Sequence, residues 1–317
     1  MERAYKIPGI YTLRDNQLPG SIFRVLAYFD VFDYPLTATE IFECSDAKGV
    51  VYSDLKKELD TLVTDGAISK TGPYYYIGYE TCIKKRELAN RYSEKLMLKA
   101  RKYSRLISRF PFVRGVCISG SLSKNNAHEN ADVDYFIITA ANRLWICRTL
   151  LALYKKVFLL NSRKYFCINY FVDTNNLEII DKNIYTATEI AFLIPVYNHE
   201  SFFSFLAANT WVGKYYPEKK IEVSSKLKKG KAGKMKRAIE YFLNNRAGNF
   251  IDNAFLKLTV IYRHLKFRNL PDDEFRDKLR AMKGVSKHHP NCFQKKVLKK
   301  YQDNLIRLEA KYGLGLN

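Results

Sequence analysis

Between Val113 and Thr139 the chain runs VRGVCISGSLSKNNAHENADVDYFIIT, the stretch around which the rest is organised. Val116 to Ser119 reads as a buried strand and Gly120-Ser121 as a tight turn. A polar loop follows, and Asp132-Val133-Asp134 opens a second strand that continues Tyr135-Phe136-Ile137-Ile138. Side chains alternate along a strand, so Asp132 and Asp134 leave on one face, one pleat apart. The residues after them are apolar on both faces, which makes this an interior strand with two carboxylates at its entry. Carboxylates that close repel each other and raise one pKa unless a cation lies between them. Oxygen donors of this kind suit Mg²⁺, which keeps several waters and takes substrate phosphates as its other ligands. Gly120 and Ser121 offer a phosphate small side chains and backbone N–H groups.

Gly-Ser, ten intervening residues and then Asp-x-Asp on a strand resembles the nucleotidyltransferase superfamily that includes DNA polymerase β and kanamycin nucleotidyltransferase. Lys124 falls where many members place Arg or Lys. The resemblance extends over roughly Arg109 to Asp173. It implies Mg²⁺-dependent transfer of a nucleoside monophosphate from an NTP to a hydroxyl. Asp132 and Asp134 would be the catalytic metal ligands, with Gly120, Ser121, Lys124 and Asn169 toward the nucleotide. One departure stands out. Lys164 to Val172, KYFCINYFV, reads as a third strand, where the family places a third acid that completes the metal site and helps activate the hydroxyl. Here the position holds Asn169, and Asp173 lies about 13 Å further on at ~3.3 Å per residue. Asparagine can bind a metal or donate a hydrogen bond, but it cannot take a proton. A second reading therefore stays open, a nucleotide-binding scaffold or sensor without turnover.

A chain of 317 residues suggests two or three domains. At 47% hydrophobic and 14% aromatic it can bury sizeable cores, which excludes disorder. No apolar run approaches the ~18 residues of a membrane span, and the N-terminus has no signal-peptide pattern. The six cysteines form no C-x-x-C pair and read as free thiols in a reducing cytosol, so a cytoplasmic protein without a membrane partner is expected. The formal charge of +21 is uneven: residues 212–317 hold 26 Lys and Arg against 10 Asp and Glu, residues 20–80 only 5 against 10. A polyanion partner is plausible for the C-terminal third.

Ser21 to Phe32 reads as an apolar helix, and Thr37-Ala38-Thr39-Glu40 as a capping box opening a short second one. Ser53 can cap a third helix with Leu55, Leu59, Leu62 and Val63 on its core face, ended by Gly66. Strands at 67–70 and 74–78 flank the turn Thr71-Gly72-Pro73. Three helices and a hairpin resemble a winged helix. Its reading helix is acidic, however, which fits a duplex poorly and favours structural or docking use. Cys82 to Arg109 reads as one long helix, and Asn142 to Leu160 as another. Thr186 to Tyr216 reads as helical with a break at Pro195. Its Phe202, Phe203, Phe205 and Trp211 pack on the sheet or form a nucleobase shelf. Lys226 to Arg237, KLKKGKAGKMKR, reads as a surface loop or an electrostatic guide for triphosphate or polyanion. Helices over Met235 to Phe267 and Gln294 to Tyr312 complete the chain. His128 reads as a loop residue able to approach phosphate, and His288-His289 as surface loop. The expected fold is α+β: a winged-helix-like module at 1–80, a connecting helix at 81–110, a small mixed-sheet nucleotidyltransferase domain at 111–183 and a basic α-helical domain at 184–317. A nucleic-acid-binding regulator using the winged helix or the basic tail is the third reading; the acceptor is open.

Overall fold

The computed structural model describes residues 3–6, 18–162, 164–223, 233–271, 275, 279–288, 293–313 and 315–316, so most of the KLKKGKAGK run, His289 and Cys292 lie outside the described residues. The architecture mixes α and β around a mixed sheet. At the N-terminal end, α1 (Leu18–Asp30), α2 (Ala38–Cys44) and α3 (Tyr52–Thr64) precede a three-stranded antiparallel sheet of β2 (Leu36–Thr37), β4 (Tyr74–Tyr76) and β3 (Ser69–Thr71), in that order. The Thr37–Glu40 capping box is present, each side chain satisfying the other's backbone N–H. The start of α3 differs from expectation. Val51 is its N-cap and Ser53 lies inside the helix, because the buried leucines Leu55, Leu59 and Leu62 fix its phase.

The long helix α4 (Thr81–Ser108) anchors to this layer through Arg86, whose side chain is nearly fully buried. Its guanidinium donates to Glu40 Oε1 at 2.6 Å and to the Pro35 carbonyl. It also lies over the rings of Tyr34 and Tyr74, at 4.3 and 4.5 Å. One cation thus fastens α4 to α2, its entry loop and the small sheet.

The central sheet has the order β10-β11-β7-β6-β5-β8. β5 (Val113–Ser119) and β6 (Asp134–Thr139) are antiparallel; β7 (Cys167–Asp173) runs parallel to β6 after a crossover through α6 (Leu144–Phe158). The edges come from beyond residue 183, where only helices were expected. β8 (Ile194–Tyr197) pairs with β5 on one side, and the hairpin β10 (Ala281–Met282)–β11 (Val285–Lys287) pairs with β7 on the other. Pro195, which the sequence suggested as a helix break, sits in the edge strand β8, where a residue without an N–H is tolerated. The expected helix over 235–267 is two helices: α9 (Lys234–Leu243) stops at Asn244, and Asn245 caps α10 (Arg246–Lys266) by accepting from Gly248 N–H.

Helices cover both faces of the sheet. Tyr135, Ile137, Val116 and Ile118 pack with residues of α4 and α6, and Leu243, Ile251 and Phe255 of α9 and α10 join them. Phe136, Ile138, Cys117 and Val172 pack instead with α7 (Ile184–Ala191), α8 (His199–Ala208), α1 and the last helix, α11 (Phe293–Tyr312). Phe202 and Phe205 are part of this second core, the packing role foreseen for them. α11 also clamps α1: Asn304 Nδ2 donates to Ala27 O at 3.0 Å, and Tyr301 meets Tyr28 edge-on. Near the chain start, β1 (Arg3–Lys6) pairs antiparallel with β9 (Lys220–Val223). Among the described residues no helix is long and apolar enough to cross a membrane.

Arg86→Ala leaves Glu40 without its cation. With Glu40 about one-third exposed, the expected loss is about 2–4 kcal/mol of unfolding free energy. Thr37→Ala, which removes half a cap, should cost about 1 kcal/mol. Urea denaturation of the two variants checks this; equal losses would contradict the anchoring role of Arg86.

Candidate active site

β5 ends where β6 begins, and the register sets Ser119 opposite Asp134. A cavity of about 1310 Å³ opens at this end of the sheet. Its walls include Gly120, Ser121, Lys124, Asp132, Asp134 and Asn169 together, so every sequence-selected residue faces one space. Asp132 stands just ahead of β6 and not within it, because the ladder begins at Asp134.

Gly120 is required twice over. Its φ of +70° is a left-handed conformation, and a Cβ there would lie 2.5 Å from Asp134 Oδ2. The absent side chain lets the backbone come up against the carboxylate. Gly120–Ser123 forms a single helical turn, α5, in place of the expected tight turn, and Ser123 Oγ donates to Gly120 O at 2.9 Å. Lys124 Nζ folds back to donate to Gly120 O at 3.1 Å and to Glu189 Oε1 at 2.9 Å. Lys124 is therefore held beside the cavity by an ion pair with α7.

Burial pushes the Asp134 carboxyl up to about 7, and the nearby charges of Glu189 and Asp132 add to this. A hydrogen bond from Cys167 and the Lys124 charge act the other way. The repulsion anticipated between the two aspartates is thus present, but desolvation outweighs it. Asn169 supplies the most direct contact: its Nδ2 donates to Asp134 Oδ1 at 2.6 Å while its Oδ1 accepts from Cys167 Sγ at 3.2 Å. A bulge places it there. Tyr135 pairs with Ile168 and Phe136 with Tyr170, leaving Asn169 as the extra residue of β7. Asp173 is buried elsewhere, accepting from Asn142 N, Asn175 N and Asn176 Nδ2, so it organises the loops at the far end of the strand.

Three cavity residues escaped the sequence reading. Glu189 is a charged residue in the otherwise apolar and hydroxylic α7, IYTATEIA, and that contrast was the available signal. Cys167 lies at the strand entry beside Asp134, and its own thiol is pushed up to about 12 by burial. Arg148 of α6 faces the same cavity with its guanidinium 5.5 Å from the Trp145 ring, and burial lowers its pKa to about 10. His128 lines the cavity as the sequence allowed. His288, read as surface loop, is half-buried against it, and its N–H donates to Asn169 O. The N-terminal layer contributes Phe29, Phe32 and Tyr34, and the Tyr34 hydroxyl donates to Lys124 O at 3.1 Å.

Among the described residues no three His, Cys, Asp or Glu side chains gather as a metal cluster. A pair of oxygen donors at a cavity mouth, one of them a desolvated carboxyl, suits Mg²⁺ that retains waters and substrate oxygens better than a metal caged by protein.

The carboxyl of Asp134 gives a pH signature. Below about pH 4 it is protonated in both folded and unfolded chains. Between there and about 7 the unfolded chain has lost a proton that the folded chain keeps, so its contribution to stability falls across this window and is gone above it. In chelator, wild type should therefore lose more stability than Asp134→Asn as pH rises through this range. Urea melts of both proteins at intervals of pH measure the difference; parallel curves would refute the assignment.

No protein-family model, curated protein or solved structure gives a significant match to this chain.

Proposed function

We propose that the chain is a Mg²⁺-dependent nucleotidyltransferase that moves a nucleoside monophosphate from an NTP to a hydroxyl of an acceptor. The observation that carries this reading is the approach of Gly120 to the Asp134 carboxylate, so close that no side chain fits between them, in a cavity wall that also holds Asp132. That arrangement brings a backbone suited to phosphate within one residue's reach of a carboxylate suited to a divalent cation. Asp132 and Asp134 would hold Mg²⁺, which would neutralise the triphosphate and favour departure of pyrophosphate. Asn169 fixes the orientation of Asp134 through its hydrogen bond. Lys124 is within a side chain's swing of the Gly120 turn, and a bound phosphate competes with Glu189 for its ammonium. Arg148 adds a desolvated cation for an anionic part of the nucleotide or acceptor. An NTP substrate fits a cytosolic protein.

The N-terminal three helices and small sheet are similar to a winged helix in element order. α3 exposes Asp54 and Asp60 beside Lys56 and Lys57, with Asp65 exposed at its C-cap, a poor surface for a duplex. α1 is covered by α11, and the loop after α1 lines the cavity, so we assign this layer to closing the site and not to reading DNA.

Asn169 favours one second reading, nucleotide binding without turnover. An amide in contact with Asp134 cannot accept the proton of an attacking hydroxyl.

Thermal denaturation with each NTP, with and without Mg²⁺, tests the proposal. Ligand at 100 times its dissociation constant adds about 2.7 kcal/mol and moves the midpoint by several degrees. A Mg²⁺-dependent shift is expected in wild type and not in Asp132→Asn/Asp134→Asn. Pyrophosphate release should fall by about 100-fold or more in the double variant. A shift without pyrophosphate release across an acceptor panel selects the second reading, and no shift with any NTP overturns both. Gly120→Ala, which pushes a methyl group against Asp134, should abolish the Mg²⁺-dependent shift while the chain remains folded.

A further inference from the structure

α10 has two apolar faces. One packs inward through Ile251, Phe255 and Leu256, with Asp252 and Arg263 buried on the same side. The other carries Phe250, Leu258, Ile261 and Leu265, at successive spacings of 8, 3 and 4 residues, which keeps them on one exposed stripe turned away from Asp252, Leu256 and Arg263 and bordering Ile251. These four side chains are between 56% and 75% exposed. Tyr241 and Phe242 of α9, which packs beside α10, are equally open to solvent. A row of large apolar side chains of this length is not a random scatter of single exposed residues.

The charges around the stripe say what covers it. Arg246, Lys257, Lys266 and Arg268 are all exposed along α10 and just past its end. Residues 233–270 contain two acids, and neither offers a charge to solvent. Glu240 is engaged by Arg114 and Phe112 N–H, and Asp252 is buried, accepting from Trp145 and Ile146 N–H. A second copy docked through this face would set like charges against each other. A nucleic acid would meet the cations but leave the leucine and isoleucine side chains in water. We infer that the α9–α10 face is a docking surface for an anionic lipid bilayer, with the helices lying in the interface plane. Lys and Arg would face lipid phosphates, and Phe250, Leu258, Ile261 and Leu265 would enter the acyl boundary. This is surface binding and requires no spanning helix. It is independent of the nucleotidyltransferase proposal, since none of the stripe or its flanking cations lines the cavity.

The test is sedimentation of the full chain with phosphatidylcholine vesicles and with vesicles containing 30 to 40 per cent phosphatidylglycerol (roughly a strongly anionic leaflet). Binding is expected only to the anionic vesicles and weakens with salt. Lys257→Gln/Arg268→Gln should reduce it about fivefold per charge removed. Leu258→Ser/Ile261→Ser/Leu265→Ser, at exposed positions that leave folding intact, should reduce it more than about tenfold at constant charge. Unaltered binding by the serine variant would overturn the proposal, because cations alone would then explain the association. So would an absence of binding to anionic vesicles. A dimer in wild type that the serine variant dissolves, without vesicle binding, would assign the face to a second copy. Loss of vesicle binding leaves the NTP-dependent thermal shift untouched, so the two proposals fail separately.

Discussion

The constraint on which the rest depends is that β6 is buried on both faces while its first residue is ionisable. Tyr135 and Ile137 demand a helical layer on one side, and Phe136 and Ile138 demand another on the other. Residues 111–183 alone supply α6 for one layer, and the other is drawn from α7, α8, α1 and α11. At the strand entry the same packing leaves Asp134 half-buried in the wall of the cavity. Asp134 is therefore desolvated by the same packing that fixes the sheet, and its carboxyl is pushed up to about 7. Fold and site chemistry share one cause.

This coupling separates what was legible in the sequence from what was not. Local signals were readable: the capping box at Thr37, the leucine stripe of α3, the Gly-Ser junction and the acids before an apolar strand depend on residues near one another. The strands β8 and β11 were not, because each is short, one contains Pro195 and the other follows a Lys-Gly turn, and each is stabilised by a partner many residues away. The split between α9 and α10 was in principle readable from Asn244-Asn245 followed by Gly248, but the apolar pattern runs through it. In the site, the sequence named residues that do converge on the cavity. It missed Glu189, which reaches the site only because α7 is folded onto that face of the sheet. The position of Asn169 was legible, while its contact with Asp134 depends on a bulge that no spacing rule reveals.

That contact bears on how a cation enters. A third carboxylate at Asn169 would add negative charge beside Asp132 and Asp134, strengthening cation binding and raising the repulsion that must be relieved. The amide does neither. It donates one hydrogen bond to Asp134, which favours the ionised form, and contributes no charge. Burial opposes ionisation at the same atoms, so near neutral pH the free site is balanced between a proton and a bare carboxylate. A lone Mg²⁺ would find only the carboxylates of Asp132 and Asp134 there, and it dehydrates reluctantly. Under the proposed function, a Mg²⁺–triphosphate would bring its own oxygen ligands to the Gly120 turn and would draw Lys124 from its pairing with Glu189. If the proposed function holds, metal and nucleotide would bind together, with binding steeper in pH around 7 than at a site of three carboxylates exposed to solvent.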